Sequence, residues 1–242
     1  MTILLVGASG ATGRLVVEQL LNSGRKVKAM LRSPGKFPKF INRKDIEVIA
    51  ASVLELTDEE LSRHVQGCEA VVSCLGHNLT FKGMFGHPRR LVTDATRRLC
   101  SAIEANKPEK PIKYVLMNTT GNRNRDLQEL ISFAQKSVIA LIRLLLPPHV
   151  DNEQAADYLR THIGKKNKFV VWTAVRPDGL IDEKKVSPYT VHPSPTRSAI
   201  FNAGKTSRIN VAHFMADLIC DNKTWNQWEG QMPVIYNSES SE

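Results

Sequence analysis

Gly7, Gly10 and Gly13 recur at a spacing of three, between the apolar run Ile3-Leu4-Leu5-Val6 and the segment Leu15-Val16-Val17-Glu18-Gln19-Leu20-Leu21. Four consecutive apolar residues suit a parallel strand buried on both faces, and the second segment reads as a helix. A strand, a glycine turn and a helix in that order build an anion cradle. Gly7 permits the tight turn, Gly10 lets the backbone approach a pyrophosphate, and Gly13 lets the helix pack close to the strand. Ser9, Ala11 and Thr12 complete the turn. Its free N–H groups and the positive end of the helix then face the phosphates. Gly7, Ser9, Gly10, Ala11, Thr12 and Gly13 are therefore candidates for holding a dinucleotide.

Val27 to Leu31 reads as a second strand and runs into Arg32-Ser33-Pro34-Gly35-Lys36. In dinucleotide folds the end of this strand reaches the adenosine ribose, where a carboxylate accepts from a 2′-hydroxyl and an arginine suits a 2′-phosphate. No Asp or Glu occurs between Glu18 and Asp45. Arg32 can pair bidentately with a phosphate, with Ser33 and Lys36 nearby. NADP(H) is thus expected in preference to NAD(H). The competing reading of Arg32 is a solvated surface arginine.

The turn spells GASGATG, a G-x-x-G-x-x-G spacing that departs from the G-x-G-x-x-G fingerprint. It resembles the short-chain dehydrogenase/reductase superfamily, in its extended and atypical branches. The whole chain is similar to the atypical NAD(P)H-binding group related to the NmrA-like regulators and the biliverdin reductase B/flavin reductase-like proteins. Three further stretches carry that resemblance. Gly67-Cys68-Glu69-Ala70-Val71-Val72-Ser73-Cys74-Leu75-Gly76 is similar to the group's GCDAVVSALG. Ala155-Ala156-Asp157 followed by Trp172-Thr173-Ala174-Val175-Arg176-Pro177-Asp178-Gly179-Leu180 is similar to AAE and WTIVRPGGL. Ile209 to Leu218 resembles a helix of the group, with Asn210 in place of an acidic cap.

The resemblance implies a doubly wound, Rossmann-type α/β fold with a mainly parallel sheet of six or seven strands. It implies a single domain over residues 1–237, with a small C-terminal substrate-side lobe and a disordered tail at 238–242. Ser52 and Val53 fall where relatives carry Asp-Val against the adenine; Val53 can still pack on the ring. Cys74, Leu75 and Gly76 fall along the ribose and nicotinamide. With no thiolate-stabilising partner evident, Cys74 reads as a packing residue rather than a nucleophile. Thr119 or Thr120 either offers a hydroxyl to a substrate carbonyl or caps the loop it stands in.

The usual engine of the superfamily, Tyr-x-x-x-Lys, is missing. Counting back from Ala155-Ala156-Asp157 places Glu153 at the lysine position and His149 at the tyrosine position. Tyr114, Tyr158, Tyr189 and Tyr236 are followed four residues on by Asn118, His162, Pro193 and Ser240, so none supplies the dyad. Three readings follow. A reductase can pass hydride to a planar conjugated acceptor, a flavin or quinone-like molecule, that solvent protonates. His149 can donate the proton, since histidine as a residue type titrates near neutrality; the plainer reading makes it a surface or capping residue. Or the protein binds NADP(H) without turnover and acts as a redox sensor through a protein partner. A sugar-nucleotide epimerase ranks below these, because that chemistry relies on the same tyrosine.

The remaining elements must position these residues. Ile46 to Ala50 reads as a strand, Thr57 with Glu60 as a capping box, Leu91 to Ala105 as a helix and Ile112 to Met117 as a strand. His77 to Arg90 reads as a ligand-side loop mixing apolar and basic groups. Asp126 to Leu146 reads as largely helical and ended by Pro147-Pro148. Short strands are expected at Ala199 to Asn202 and, at a sheet edge, Val234 to Tyr236.

Composition narrows the class. The formal charge of +9 raises nucleic acid as a partner, but the basic residues are scattered and no helix-turn-helix, zinc or stacking module accompanies them. An anionic cofactor and a small-molecule acceptor explain the charge more simply. The longest apolar stretch, Val138 to Leu146, contains Arg143 and is far short of a membrane span. The N-terminus has no signal-peptide pattern. Cys68, Cys74, Cys100 and Cys220 form no C-x-x-C pair and read as reduced thiols, which together suggests a cytoplasmic protein. No metal is called for, and the sequence leaves the assembly state open.

Overall fold

The computed structural model describes residues 1–33, 35, 37, 43–77, 80–129 and 132–238. The backbone of Phe81 and Lys82 is included, but not their side chains. The strands are β1 (Thr2–Val6), β2 (Lys26–Leu31), β3 (Ile46–Ala50), β4 (Ala70–Ser73), β5 (Ile112–Met117), β6 (Val170–Pro177), β7 (Gly179–Ile181), β8 (Tyr189–His192), β9 (Lys205–Ser207) and β10 (Val234–Asn237). The helices are α1 (Ala11–Asn22), α2 (Asp58–Val65), α3 (Phe81–Phe85), α4 (Leu91–Asn106), α5 (Phe133–Leu145), α6 (Pro147–Tyr158), α7 (Arg208–Cys220) and α8 (Asn222–Trp228). A π turn at Leu159–Ile163 continues α6.

β1 is central because every side chain from Ile3 to Val6 is buried. Its period-two alternation feeds two cores. Leu4 and Val6 meet residues of α2, α4 and α6 on one face. Ile3 and Leu5 meet α1, α7 and α8 on the other. The sheet runs β3-β2-β1-β4-β5-β6-β10-β8, all parallel except the β10–β8 pair. Chain order reverses at β1, with β2 and β3 on one side and β4 onward on the other. The topology therefore leaves a crevice at the carboxyl ends of β1 and β4. This is a single-domain Rossmann-like α/β fold. No helix among the described residues is long and apolar enough to cross a membrane.

Several expectations are corrected. Among the described residues the main sheet has eight strands rather than six or seven, and β7 and β9 form a separate parallel pair. β10 is an inner strand, because β8 returns antiparallel along its far side. Ala199 to Asn202 is a turn: Ser198 Oγ accepts from the N–H groups of Ile200 and Phe201, drawing the backbone away from strand pairing, and the strand comes later, at β9. Helix α5 begins only at Phe133, where Ser132 Oγ caps Gln135 N at 3.1 Å. Upstream, Asn124 and Glu129 bond backbone N–H groups of 126 and 124 and hold turns instead. Pro147 and Pro148 do not merely end α5; they open α6 at its first positions, where a missing N–H costs nothing. Ser207, not Asn210, caps α7. The segment 77–90 contains the short helix α3. Ser238 N donates to Pro188 O at 2.8 Å, so it is tied down rather than frayed; 239–242 lie outside the described residues. The Thr57–Glu60 capping box is present, with both bonds formed.

α5 is unusual in leaving much of its apolar surface uncovered. Phe133, Leu141, Leu144 and Leu145 are exposed, and only Ile139 is buried.

Candidate functional site

The turn after β1 closes on itself. Gly10 N donates to Gly7 O at 3.0 Å, and Gly7 has φ +79°. A Cβ on Gly7 would stand 2.6 Å from backbone atoms of Cys74, and one on Gly13 would stand 2.2 Å from Gly7 O. These two glycines lock the turn against the start of the segment after β4 and against α1. Gly10 is the N-cap of α1, and no side chain caps the helix or places an acid in its first turn. The first-turn N–H groups are thus left for an anion. A Cβ on Gly10 would meet only Gly7 O, at 3.2 Å, so its outer side is open. A diphosphate fits this cradle.

A cleft extends from the turn. Gly7, Ser9, Gly10, Arg32, Ser52, Val53, Cys74, Leu75 and Gly76 line it, together with Met30 and Leu91. Nine candidates from four separate stretches of sequence therefore meet at the carboxyl ends of β1 to β4. Ala11, Thr12 and Gly13 lie in the first turn of α1 behind that lining, with Ala11 exposed and the other two buried. Arg32 is exposed at the rim and forms no ion pair among the described residues. Ser33 is exposed beside it, outside the lining, and Lys36 lies outside the described residues. Burial pushes the Cys74 thiol up to about 12, which suits a packing group and not a nucleophile.

Sequence reasoning missed Arg98. From α4, its guanidinium donates to the carbonyls of Val53 and Leu56 at 2.6 and 2.5 Å and to Asp58 at 2.8 Å. It fixes the Val53 wall of the cleft from outside. Only a basic residue on a helix face marks it in the sequence, and that is too common a signal.

At the end of β5, Asn118 Oδ1 accepts from Thr119 N at 2.8 Å, and Asn118 Nδ2 donates to Asn152 O on α6 at 3.0 Å. Thr119 Oγ1 accepts from Gly121 N at 3.3 Å, the geometry of a loop cap. Thr120 N donates to Pro177 O at 3.0 Å, and Thr120 lines a second cavity. His149 packs on this loop: a Cβ on Gly121 would stand 3.2 Å from its Cε1. Its side chain is 12% exposed, so the surface reading of His149 is corrected; α6 and the Gly121 loop enclose it. Its buried Nε2 has no hydrogen-bond partner among the described residues and stands 3.6 Å from Glu153 Oε1.

Glu153, at the counted lysine position, is held by Arg143 through two bonds of 2.8 and 2.7 Å. Burial opposes its ionisation, but the His149 and Arg143 side chains outweigh burial and hold the carboxyl at about 2. At 3.6 Å the His149 contact is too long for a hydrogen bond, so we assign the larger share to Arg143. The two counted positions thus hold a buried His and an Arg-bound carboxylate.

The second cavity measures about 450 Å³. Its walls are Thr120, Gly121 and Arg123 after β5, Gln135 and Ile139 of α5, and the segment 194–199. Beneath it lies a buried ion pair. Arg176 donates to Glu129 at 2.7 and 3.2 Å, and to the carbonyls of Met232, Asn122 and Pro193 at 2.6, 2.9 and 3.2 Å. It joins β6 to the three segments that frame the cavity floor.

A second buried pair flanks the first cleft. His77 Nε2 lies 2.7 Å from Asp151 Oδ2, and Asp151 accepts from the N–H groups of Val92 and Thr93 at 2.8 and 2.9 Å. The bond to Asp151 raises the His77 pKa against burial. Burial pushes the Asp151 pKa up, but bonds from His77, Thr93 and Val92 outweigh it and leave it lowered. In the 77–90 segment, His87, Arg89 and Arg90 are exposed and Met84 and Phe85 half-buried. Residues 78 and 79 and the side chains of Phe81 and Lys82 lie outside the described residues. Among the described residues of this segment, no apolar or basic group lines either cavity. Among the described residues no cluster of His, Cys, Asp and Glu could hold a metal ion.

Comparison with known proteins follows the same lines. No curated protein matches the sequence significantly. Among solved structures, a Rossmann-fold NAD(P)-binding family protein from Shigella flexneri is 19% identical, with a TM-score of 0.64 over 100% of this chain and 98% of that one. A Streptococcus pneumoniae protein provisionally assigned as an NADH-flavin reductase is 17% identical, with a TM-score of 0.66 over 98% and 100%. A wide-type short-chain dehydrogenase/reductase from Veillonella parvula, solved in complex with NADP, is 15% identical, with a TM-score of 0.69 over 100% and 96%. At these identities the likeness concerns the fold. The family model described as NAD(P)H-binding matches residues 7–222, and the chain belongs to that family.

Proposed function

We propose that this protein is an NADP(H)-dependent reductase that passes hydride to a planar conjugated acceptor without a Tyr-Lys dyad. The observation that carries the reading is spatial. A cleft with an uncapped helix N-terminus and an arginine that has no ion pair among the described residues lies at the ends of β1 to β4, and a 450 Å³ cavity begins at Thr120, at the end of the adjacent β5. The nucleotide supplies the hydride when bound.

The chain's own part is to bind and orient. The Gly7–Gly13 turn holds the diphosphate through first-turn N–H groups. Arg32 pairs with the 2′-phosphate, with Ser33 and Lys36 alongside. Ser52 and Val53 flank the adenine, Val53 steadied by Arg98. Cys74, Leu75 and Gly76 run along the ribose and nicotinamide side. The Thr120 hydroxyl orients the acceptor, while Thr119 keeps the loop folded. The neighbour solved with NADP and the one provisionally assigned as a flavin reductase support this direction. Free thiols at Cys68, Cys74, Cys100 and Cys220 suit a reducing compartment such as the cytoplasm.

The proton comes from solvent in this reading. His149 is the one alternative, because its unpaired Nε2 lies behind Gly121 of the cavity wall. The test is NADPH consumption by purified protein with a panel of flavins and quinones, in wild type and His149→Ala. Multiple turnovers that survive the substitution are expected; a hundredfold loss assigns the proton to His149. Tight NADP(H) binding with no consumption across the panel overturns the reductase reading. It would favour a redox sensor working through a protein partner, the reading that the displaced dyad also admits.

A further inference from the structure

Most of the large apolar side chains left in water among the described residues belong to one helix. Phe133, Leu141, Leu144 and Leu145 are on α5 and Leu146 is its C-cap; Leu127, Val186 and Phe201 are the others. Phe133 is 85% exposed and Leu144 79%. At helical spacing, Phe133, Ala140, Leu141 and Leu144 fall on one side of α5, and all four are exposed. A contiguous apolar patch of this kind marks a surface that something covers.

Charge narrows what covers it. Between Glu129 and Asp151 the sequence has no Asp or Glu, whereas Lys136 and Arg143 both lie within α5. Seven residues apart, those two share one flank of the apolar side. Lys136 is exposed and forms no ion pair among the described residues; Arg143 is bonded to Glu153, yet its side chain is still exposed. A second copy packed through this helix would set cation against cation, with no acid in the helix to offset them, and each chain carries a formal charge of +9. An anionic surface is complementary instead.

The shape of the patch favours lipid over a folded acidic partner. Leu144, Leu145 and Leu146 are exposed at consecutive positions, and three consecutive helical positions span about 200° of the helix circumference. One flat protein face cannot cover that arc, but immersion among acyl chains can. Leucine is also under-represented among the residues that anchor protein interfaces, while Leu and Phe beside Lys and Arg suit a helix lying at a bilayer surface.

We infer that α5 docks this protein on a lipid bilayer with anionic headgroups. The helix lies in the plane of the interface, with Phe133, Leu141 and Leu144 among the upper acyl chains and Lys136 reaching back to the headgroups. At thirteen residues it is too short to span the bilayer. Gln135 and Ile139, on the opposite side of α5, wall the second cavity, so docking sets that cavity one helix away from the lipid. The inference stands apart from the reductase reading, since none of these outward residues lines the nucleotide cleft.

The test is flotation of the full chain with vesicles of pure phosphatidylcholine and of phosphatidylcholine mixed equally with phosphatidylglycerol, with sedimentation of the lipid-free protein in parallel. Binding to the mixed vesicles should be about tenfold or more tighter than to the neutral ones. Replacing Leu141→Gln and Leu144→Gln together should weaken that binding by about tenfold or more, and Lys136→Glu by about fivefold or more. All three positions are exposed, so thermal melts of the variants should match wild type. No binding to either vesicle overturns the inference. So does binding that the paired leucine substitutions leave intact, which would be the general attraction of a basic chain to an anionic surface. A dimer of the lipid-free protein that those substitutions dissociate also overturns it, by giving the face to a second copy.

Discussion

His77 Nε2 lies 2.7 Å from Asp151 Oδ2, while His77 Nδ1 lies 3.1 Å from the Gly83 carbonyl. Both ring nitrogens therefore face acceptors, an arrangement that favours the imidazolium form opposite an ionised carboxylate. Asp151 sits on α6, yet it caps α4 through Val92 N and Thr93 N. One side chain thus ties the end of the β4 segment, the start of α4 and the start of α6 together around the nucleotide cleft.

Asp151→Ala should cost about 3–5 kcal/mol, because it leaves the His77 charge and two helix N–H groups without a partner. His77→Gln should cost less, about 1–3 kcal/mol. The sign with pH follows from the raised His77 value: its contribution is fully present below about pH 6.5 and is lost as pH rises through the folded-state pKa. The lowered Asp151 value acts oppositely, present above about pH 4 and lost on further acidification. In urea unfolding, the gap between wild type and His77→Gln should be widest near pH 6 and narrow by pH 9. A gap that stays constant over that range would show that the ring does not titrate between those pH values in the native state.

The glycines of the first turn separate folding from binding. Gly13→Ala puts a methyl 2.2 Å from Gly7 O, a backbone atom that cannot swing aside, so a loss of about 3 kcal/mol and roughly 10 °C in Tm is expected. Gly10→Ala needs the neighbour at 3.2 Å to give only slightly, and its Tm should fall by no more than about 3 °C. Its methyl nevertheless projects into the cradle, and NADPH affinity should drop at least tenfold. Unchanged affinity in a well-folded Gly10→Ala protein would remove the pyrophosphate from this turn.

Arg176 and Glu129 should behave as a unit. Glu129→Leu strands a fully buried guanidinium and should cost about 3–5 kcal/mol. Adding Arg176→Met to it should restore part of that stability, although the double variant still leaves the carbonyls of Met232, Asn122 and Pro193 without their donor. Urea unfolding of the two single variants and the double variant gives the coupling directly. Strict additivity would mean the two side chains contribute independently.

Much of this was legible locally. Short runs of apolar residues give β1 and β4 their buried places, and Thr57 with Glu60 closes a capping box within four residues. The cleft candidates come together because strand ends in a parallel sheet share one edge, a rule of topology rather than of any one residue. What stayed hidden acts over distance. Asp151 caps a helix that starts about sixty residues earlier, and Arg176 pairs with Glu129 across 47 positions, so no spacing rule reports either bond. Pro147-Pro148 marks a boundary in either direction, since proline both stops one helix and starts the next. The strand expected at 199–202 lost to a serine hydroxyl that bonds its own loop. The second cavity was invisible for the same reason: its walls come from stretches far apart in the chain, at 120–129, in α5 and at 194–199.

In the proposed function Arg32 is the residue that selects the nucleotide. It stands exposed at the end of β2, on the rim of the cleft, with no ion pair among the described residues to compete for a phosphate. A charge-assisted bidentate contact to a 2′-phosphate is worth about 1.5–3 kcal/mol, and reversing the charge adds repulsion against the dianion. Arg32→Glu should therefore weaken NADPH binding by roughly a hundredfold or more. NADH offers a 2′-hydroxyl at the same place, which a carboxylate can accept from, so its affinity should hold or improve. Fluorescence titration of both reduced nucleotides against wild type and variant reads the difference. If the two affinities fall together, the guanidinium supports the fold of the rim and does not read the phosphate; if neither changes, it is a solvated surface group.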